Sequence, residues 1–274
     1  MNSGHLFSIV TFLYFFSFIF YLIYFFVRDK FTGKAGFFLA VVGFVLEVIA
    51  FFMRWSESYK MGIGHIPLSN LYESLVFFTI CTVGIYIFIE FKYKFRVAGV
   101  FVMIFPVLTL AFAQLYTPTR IEPLVPALQS NWLTAHVVTC FLSYAAFAVS
   151  CGVSILYLLK MKFPDKFKFV PSLAVLDNLI YKSIAIGFPL LSLGIITGAA
   201  WANYAWGSYW SWDPKETWSL ITWFVYAAYL HARFTHGWRG KKSAILSAIG
   251  FISVLFTYLG VNLLLSGLHS YGSL

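Results

Sequence analysis

The run LIYKSIAIGFPLLSLGIITGAA at residues 179–200 passes directly into WANYAWGSYWSWDPKETW at residues 201–218, and another apolar run follows. The first run is long enough to cross a bilayer core as a helix, which takes roughly 20 apolar residues. The second holds five tryptophans and two tyrosines in eighteen positions. It is too aromatic for a solvent loop and too interrupted for a span. Its small residues Ala202, Ala205, Gly207, Ser208 and Ser211 leave room for a flat body to lie against the indole rings.

Outward from this segment the chain stays apolar. Of its 274 residues, 61% are hydrophobic and 11% charged, with a mean hydropathy of +0.83. Soluble domains carry about twice that share of charge. Apolar stretches at about 6–27, 36–55, 69–90, 97–115, 132–159, 179–200, 216–235 and 244–267 are each long enough to span. Glycine and proline within them are tolerated in membrane helices. The expected fold is an all-α polytopic membrane protein of about eight transmembrane helices, a single integral membrane domain over residues 1–274. The Trp-rich segment 201–218 joins helices six and seven. No loop is long enough for a soluble domain, and residues 1–8 lack the basic start of a cleavable signal.

The basic residues orient this array. Arg28, Lys30 and Lys34 follow span one, and Lys92, Lys94 and Arg96 follow span three. Lys160, Lys162, Lys166, Lys168 and Lys182 lie between spans five and six, and Arg233, Arg239, Lys241 and Lys242 follow span seven. All of these fall on one side; only Arg54, Lys60, Arg120 and Lys215 fall on the other. The positive-inside rule puts the larger group in the cytoplasm or its organellar equivalent and both termini on the outer side. The net charge of +9 is thus a topology signal, and nucleic acid is not expected as a partner.

The tryptophan segment then lies on the outer face. Tryptophan and tyrosine are enriched at membrane interfaces in general, but a belt needs aromatics at each helix end rather than five in one connection. A slab of indoles instead suits a planar apolar ligand. Within the same segment Asp213-Pro214-Lys215-Glu216 has the order of a capping box with proline in the first turn. Asp213 and Glu216 therefore have a structural task at the start of span seven, ahead of any catalytic one. Asn70–Glu73 repeats the pattern at span three, and Ser130 or Asn131 can cap span five.

The six histidines differ in depth. His136 lies roughly 7–8 Å below the outer start of span five at helical rise. His269 closes span eight on the same side, one heptad after Asn262. Two neutral imidazoles level with an aromatic slab can ligate the iron of a haem-like ring from its two faces. His231 lies about 25 Å along span seven from Pro214. It is open to two readings, a ligand inside the membrane or a residue reaching the interface beside Arg233 and His236. A second ligand for it is not evident in this chain, and a partner subunit can supply one. His5, His65 and His236 are expected not to ligate. Glu47, mid-span, is open to helix packing or proton handling. Arg54, Lys60, Arg120 and Lys215 can each pair with carboxylates of a ligand, and the sequence does not choose among them. Cys81, Cys140 and Cys151 lie in spans without a CxxC and read as small apolar residues.

Together these residues resemble a known family. WGSYWSWDPKETWS is similar to the signature of the WWD haem-handling proteins. HIPLSNLYESL at 65–75, WLTAH at 132–136, YLHAR at 229–233 and GLHSYG at 267–272 resemble the CcsA (ResC) family of system II cytochrome c biogenesis, over nearly the whole chain from about residue 36.

The resemblance implies a subunit of a haem-transporting cytochrome c synthase, working with a CcsB (ResB) membrane subunit. Haem b would be substrate in transit, stacked by Trp201, Trp206, Trp210, Trp212 and Trp218 of the WWD segment at the outer face. His136 and His269 match the family's axial ligands there. His231 matches its intramembrane ligand, whose co-ligand comes from CcsB. The complex attaches the haem vinyl groups to the thiols of CxxCH in apocytochrome c. It works in a bacterial cytoplasmic membrane, or in the thylakoid membrane if the chain is plastid-encoded. No catalytic residue in the acid–base or nucleophilic sense is expected. One outer histidine must give way to the substrate's own, and His269, between Gly267 and Gly272, is expected to be the looser. The alternative is a CcmC-like protein handing haem to a chaperone; the number of spans and HIPLSNLYESL favour the first reading. A transporter for another cargo is disfavoured by the few polar residues within spans and by the lack of an inverted repeat.

Overall fold

The structure is a computed structural model and describes residues 2–265. Among these there is no strand. The helices are α1 (Ser3–Val27), α2 (Lys30–Lys60), α3 (Leu71–Tyr93), α4 (Gly99–Val102), α5 (Ile104–Tyr116), α6 (Asn131–Lys162), α7 (Leu173–Trp206), α8 (Pro214–Thr235), α9 (Lys241–Leu255) and α10 (Val261–Leu264). Among the described residues, seven segments are long and apolar enough to cross a membrane: α1, α2, α3, Arg96–Tyr116, α6, α7 and Lys241–Leu264. The remaining expected span, 216–235, is α8. At 22 residues it has the length, but Lys215, Glu216, Arg233 and its hydroxyl side chains leave it more polar than the other seven.

Two boundaries differ from expectation. The fourth segment is broken, a 3₁₀ turn and α4 preceding α5. Pro106 has no N–H to offer the Val102 carbonyl, so the helix is loosened just where the break falls. The sixth helix runs beyond residue 200 and takes in Trp201 to Trp206. Nothing between Gly198 and Gly207 interrupts it. Gly207 then ends it in the left-handed conformation at φ +78°, its N–H donating to the Asn203 carbonyl at 2.9 Å. The connecting segment proper is therefore residues 207–213.

The chain falls into two compact units, residues up to 128 and residues from 129 onward. In the first, α1 lies along α2, and α3 packs against α2 and α5. Polar side chains link these helices. Glu47 of α2, fully buried, accepts from Tyr14 Oη of α1 at 2.6 Å and from Thr79 Oγ1 of α3. Arg54 donates to Glu73 at 2.9 Å, and its other nitrogens reach the carbonyls of Thr119 and Arg120. Tyr21 and Tyr86 both donate to Glu90, which also pairs with Arg96 at 3.3 Å.

In the second unit α6 packs on α7 and α9, and α8 on α7 and α9. Successive helices run up and down, so the starts of α6 and α8 meet the ends of α7 and of the last helix. Phe147 stacks on Tyr226 with centroids 3.5 Å apart. Ser143 donates to the Gly187 carbonyl at 2.8 Å, Ser150 meets Ser247 at 2.6 Å and Thr222 meets Thr257 at 2.9 Å. Interhelical hydrogen bonds in membranes average about 0.6 kcal/mol, so side-chain packing carries most of this assembly and the hydroxyls set its register.

Candidate functional site

The second unit gathers the sequence-derived residues around the start of α6. Ser130 caps that helix, its Oγ accepting from Trp132 N at 3.2 Å, and His136 stands in the second turn. The His136 Nδ1 lies 2.7 Å from the carbonyl oxygen of Gly194. A carbonyl only accepts, so Nδ1 carries the proton and Nε2 is the nitrogen with a free lone pair. A Cβ at Gly198 would lie 2.6 Å from Nδ1, so the ring sits in the notch left by that glycine. Trp201 flanks it, with centroids 6.0 Å apart and planes 18° from parallel. The imidazole is thus fixed by α7 in tautomer, height and tilt, and it remains half-buried.

His136 faces a narrow cavity of about 60 Å³, shared with Cys140, Trp210, Lys215, Glu216 and Thr257. Cys140 Sγ is 3.7 Å from His136 Nδ1.

The five tryptophans do not form one continuous shelf. Trp201 is buried beside His136, and Trp206 meets it edge-on with centroids 5.2 Å apart. Trp210 lines the cavity and meets Trp212 edge-on at 5.7 Å. Trp212 is 68% exposed and has φ +59°. Trp218, on α8, packs on Phe256 at 4.1 Å.

Between them the backbone is pinned by carboxylates. Asp213 Oδ1 accepts from Lys215 N at 2.9 Å, and Glu216 Oε2 accepts from Asp213 N at 3.1 Å and Ser211 N at 2.8 Å. This is a complete capping box with Pro214 in the first turn. Lys215 Nζ donates to Asn262 Oδ1 at 2.7 Å, tying the start of α8 to α10. Between α9 and α10 the helix widens into a π turn, Phe256–Gly260. Thr257 within it bonds to Thr222 and to the Trp218 carbonyl; such widened turns recur at functional sites.

The other histidines separate. His269 lies outside the described residues. His231 stands exposed on α8, on a face with Ile221 and Phe224, its ring 5.9 Å from that of His236. His65 has both ring nitrogens at carbonyls, Ile66 at 2.9 Å and Glu122 at 3.0 Å, leaving neither for a metal. His5 meets Asn2, and His236 meets Thr235. No group of three or more histidine, cysteine or acidic side chains able to hold a metal occurs among the described residues. The three cysteines are buried and free. Of the four candidate outer cations, Arg54 is used up by Glu73 and two carbonyls, whereas Lys215 borders the His136 cavity.

Sequence reading missed the Gly194 carbonyl and the Gly198 notch. The available signal was the Gly-xxx-Gly spacing at 194–198, which marks close approach of a neighbouring helix.

The model of the family described as "Cytochrome C assembly protein" matches residues 68–269. Similar proteins include the "Cytochrome c biogenesis protein CcsA" of Chlorella vulgaris, 43% identical over 89% of this chain and 87% of the relative. The protein of the same name from Gloeobacter violaceus (strain ATCC 29082 / PCC 7421) is 43% identical over 80% of each chain. Among solved structures, "Cytochrome c Heme Lyase CcmF" superposes with a TM-score of 0.74 at 15% identity. That likeness, which concerns the fold, covers 94% of this chain and 47% of the lyase. With the family model matching about three quarters of its length and relatives of this similarity, the chain belongs to the cytochrome c assembly protein family, as a membrane protein of the CcsA type with a role in cytochrome c maturation.

Proposed function

We propose that the chain holds haem b at the outer membrane face and presents it for attachment to apocytochrome c. The observation that supports this best is the immobilised His136, with Nδ1 spent on Gly194 and Nε2 left to bind iron. Trp210 and the neighbouring indoles offer apolar faces to the macrocycle, and His269 supplies the second axial ligand. His231, exposed on α8, takes up haem deeper in the membrane with a ligand from a CcsB-like subunit. The membrane is the bacterial cytoplasmic or the thylakoid membrane, with the basic loops on the cytoplasmic or stromal side.

In the reaction each CxxCH thiol adds across one haem vinyl group, sulfur to carbon and hydrogen to the neighbouring carbon, with no leaving group and no net redox change. The chain needs no acid–base pair for this; its part is orientation. His136 holds the macrocycle in place, and His269 yields its position to the substrate histidine.

The test is an absorption spectrum of the chain purified with its CcsB-like partner. Wild type should carry bis-histidine haem, and His136→Ala should lose or alter that spectrum, with added imidazole restoring it. A His136→Ala complex that keeps the wild-type spectrum would refute the ligand assignment.

A further inference from the structure

At the end of the second unit opposite His136 lies a separate cavity of about 620 Å³. Tyr157 of α6, Asp177, Asn178 and Tyr181 of α7, Arg233 of α8 and Arg239 of the next turn line it. The side chain of Arg233 is nine-tenths buried. Its Nη2 donates to Asp177 Oδ2 at 2.7 Å, and its guanidinium lies 4.5 Å from the centre of the Tyr181 ring. Nη1 is buried, and the Tyr229 hydroxyl neighbours the guanidinium. Asp177 is already satisfied, because its Oδ1 accepts from Gly240 N at 2.9 Å. The carboxylate thus serves to fix the guanidinium, which lines the cavity.

The remaining groups describe the ligand. Arginine presents only donors, in a planar fork suited to phosphate and carboxylate. The lining holds two arginines against one carboxylate, and exposed Arg239 is followed, after Gly240, by Lys241 and Lys242. Phe234, 68% exposed, adds an apolar wall at the rim. The volume is well above that of a lone ion and within the usual range for small-molecule pockets.

We propose that this cavity binds a phosphate group, borne by an anionic membrane lipid or supplied as soluble phosphate, with Arg233 as its inner anchor and Arg239 at the rim. The site stands on the basic ends of the helices, away from His136, and does not depend on the haem assignment.

The test uses the purified full chain in an uncharged detergent. Binding is followed by native mass spectrometry and by thermal stability with phosphatidylglycerol, phosphatidylcholine or inorganic phosphate. Phosphatidylglycerol should bind at least five-fold more tightly than phosphatidylcholine, and Arg239→Gln should reduce that preference about five-fold. Arg233→Lys keeps the charge and the pairing with Asp177 but removes the fork, and should weaken binding further. If it misfolds, Asn178→Leu joins Arg239→Gln as the test, since neither residue pairs with Asp177. Competition by millimolar inorganic phosphate would assign the site to a soluble ligand, and its failure would assign the site to lipid. No preference for phosphatidylglycerol together with no effect of inorganic phosphate would overturn the proposal, as would unchanged binding in Arg239→Gln with Arg233→Lys or Asn178→Leu.

Discussion

The imidazole of His136 and the backbone carbonyl of Gly194, 58 positions apart in the chain, meet at 2.7 Å. The contact joins two helices and selects a tautomer. It can form because α7 has no side chain at 198 to hold the ring away, and none at 194 to press on Cys140 Sγ of α6. A backbone carbonyl as orienting group has a consequence for evolution and for mutagenesis: no side-chain substitution removes it, so the site is most open to perturbation through the ring's clearance.

Gly198→Ala tests that clearance. Alanine is the better helix former by roughly 1 kcal/mol, so helix propensity alone forecasts a stabler protein. The added Cβ would lie 2.6 Å from Nδ1, however, and 2.8 Å from Cε1 of the same ring. Either the ring or α7 must shift, at a typical cost of about 1–3 kcal/mol. Displacing an orienting contact usually costs 10–100-fold in affinity for the metal. Haem retained per protein after purification with the partner should therefore fall on the order of ten-fold. Full retention in Gly198→Ala would show that the notch does not matter.

Asp213 and Glu216 distinguish a helix cap from an acid–base pair. As a cap, Asp213 should tolerate asparagine, which caps equally well without a charge, while alanine should cost about 1 kcal/mol. An acid–base role would make asparagine as damaging as alanine. Thermal stability and holocytochrome formation for Asp213→Asn and Asp213→Ala settle the matter, with Asn near wild type and Ala impaired in both.

In the first unit, Arg54 and Glu73 form a buried pair whose members are 4% and 0% exposed. Removing one partner leaves the other uncompensated, at a typical cost of about 3–5 kcal/mol. Arg54→Met should lower the melting temperature of the purified protein sharply. Arg54→Met combined with Glu73→Gln should recover much of the loss, because neutral glutamine can still accept from Ser69 N, which donates to Glu73 at 2.9 Å. If the double variant is no better than the single one, the arginine is required for its contacts to the Thr119 and Arg120 carbonyls rather than for the ion pair.

The helices were legible because long apolar runs and their caps are local: Asn70, Ser130 and Asp213 each stand at the N-cap that their side chains suggested. His136 was legible as a candidate from depth alone. What local pattern does not carry is the partner across a helix pair. Arg54 read as an outer cation because nothing near it in the chain announces Glu73. The Trp-rich segment read as one slab because five indoles share eighteen positions, yet they divide among the end of α7, the connecting segment and α8 and turn to different sides. Trp201 faces His136, Trp212 points outward and Trp218 faces Phe256. The continuation of α7 to Trp206 was hidden by aromatic residues whose helix propensity is only middling and is overridden by packing.

Lys215 carries the last prediction. Its ammonium has three donors, and one goes to Asn262 Oδ1 at 2.7 Å. The same side chain borders the cavity beside His136, and under the proposed function a remaining donor would meet a carboxylate of bound haem. Lys215→Met and Asn262→Leu separate this role from the tie between α8 and α10. Both substitutions break the tie, but only the first removes the charge. If the charge engages a haem carboxylate, the wild-type complex should retain haem in preference to its dimethyl ester, about ten-fold for one charge-assisted hydrogen bond. Asn262→Leu should keep that preference, and Lys215→Met should abolish it. A preference that survives in Lys215→Met would assign the carboxylate to another cation, and one lost in both variants would make the lysine a structural tie alone.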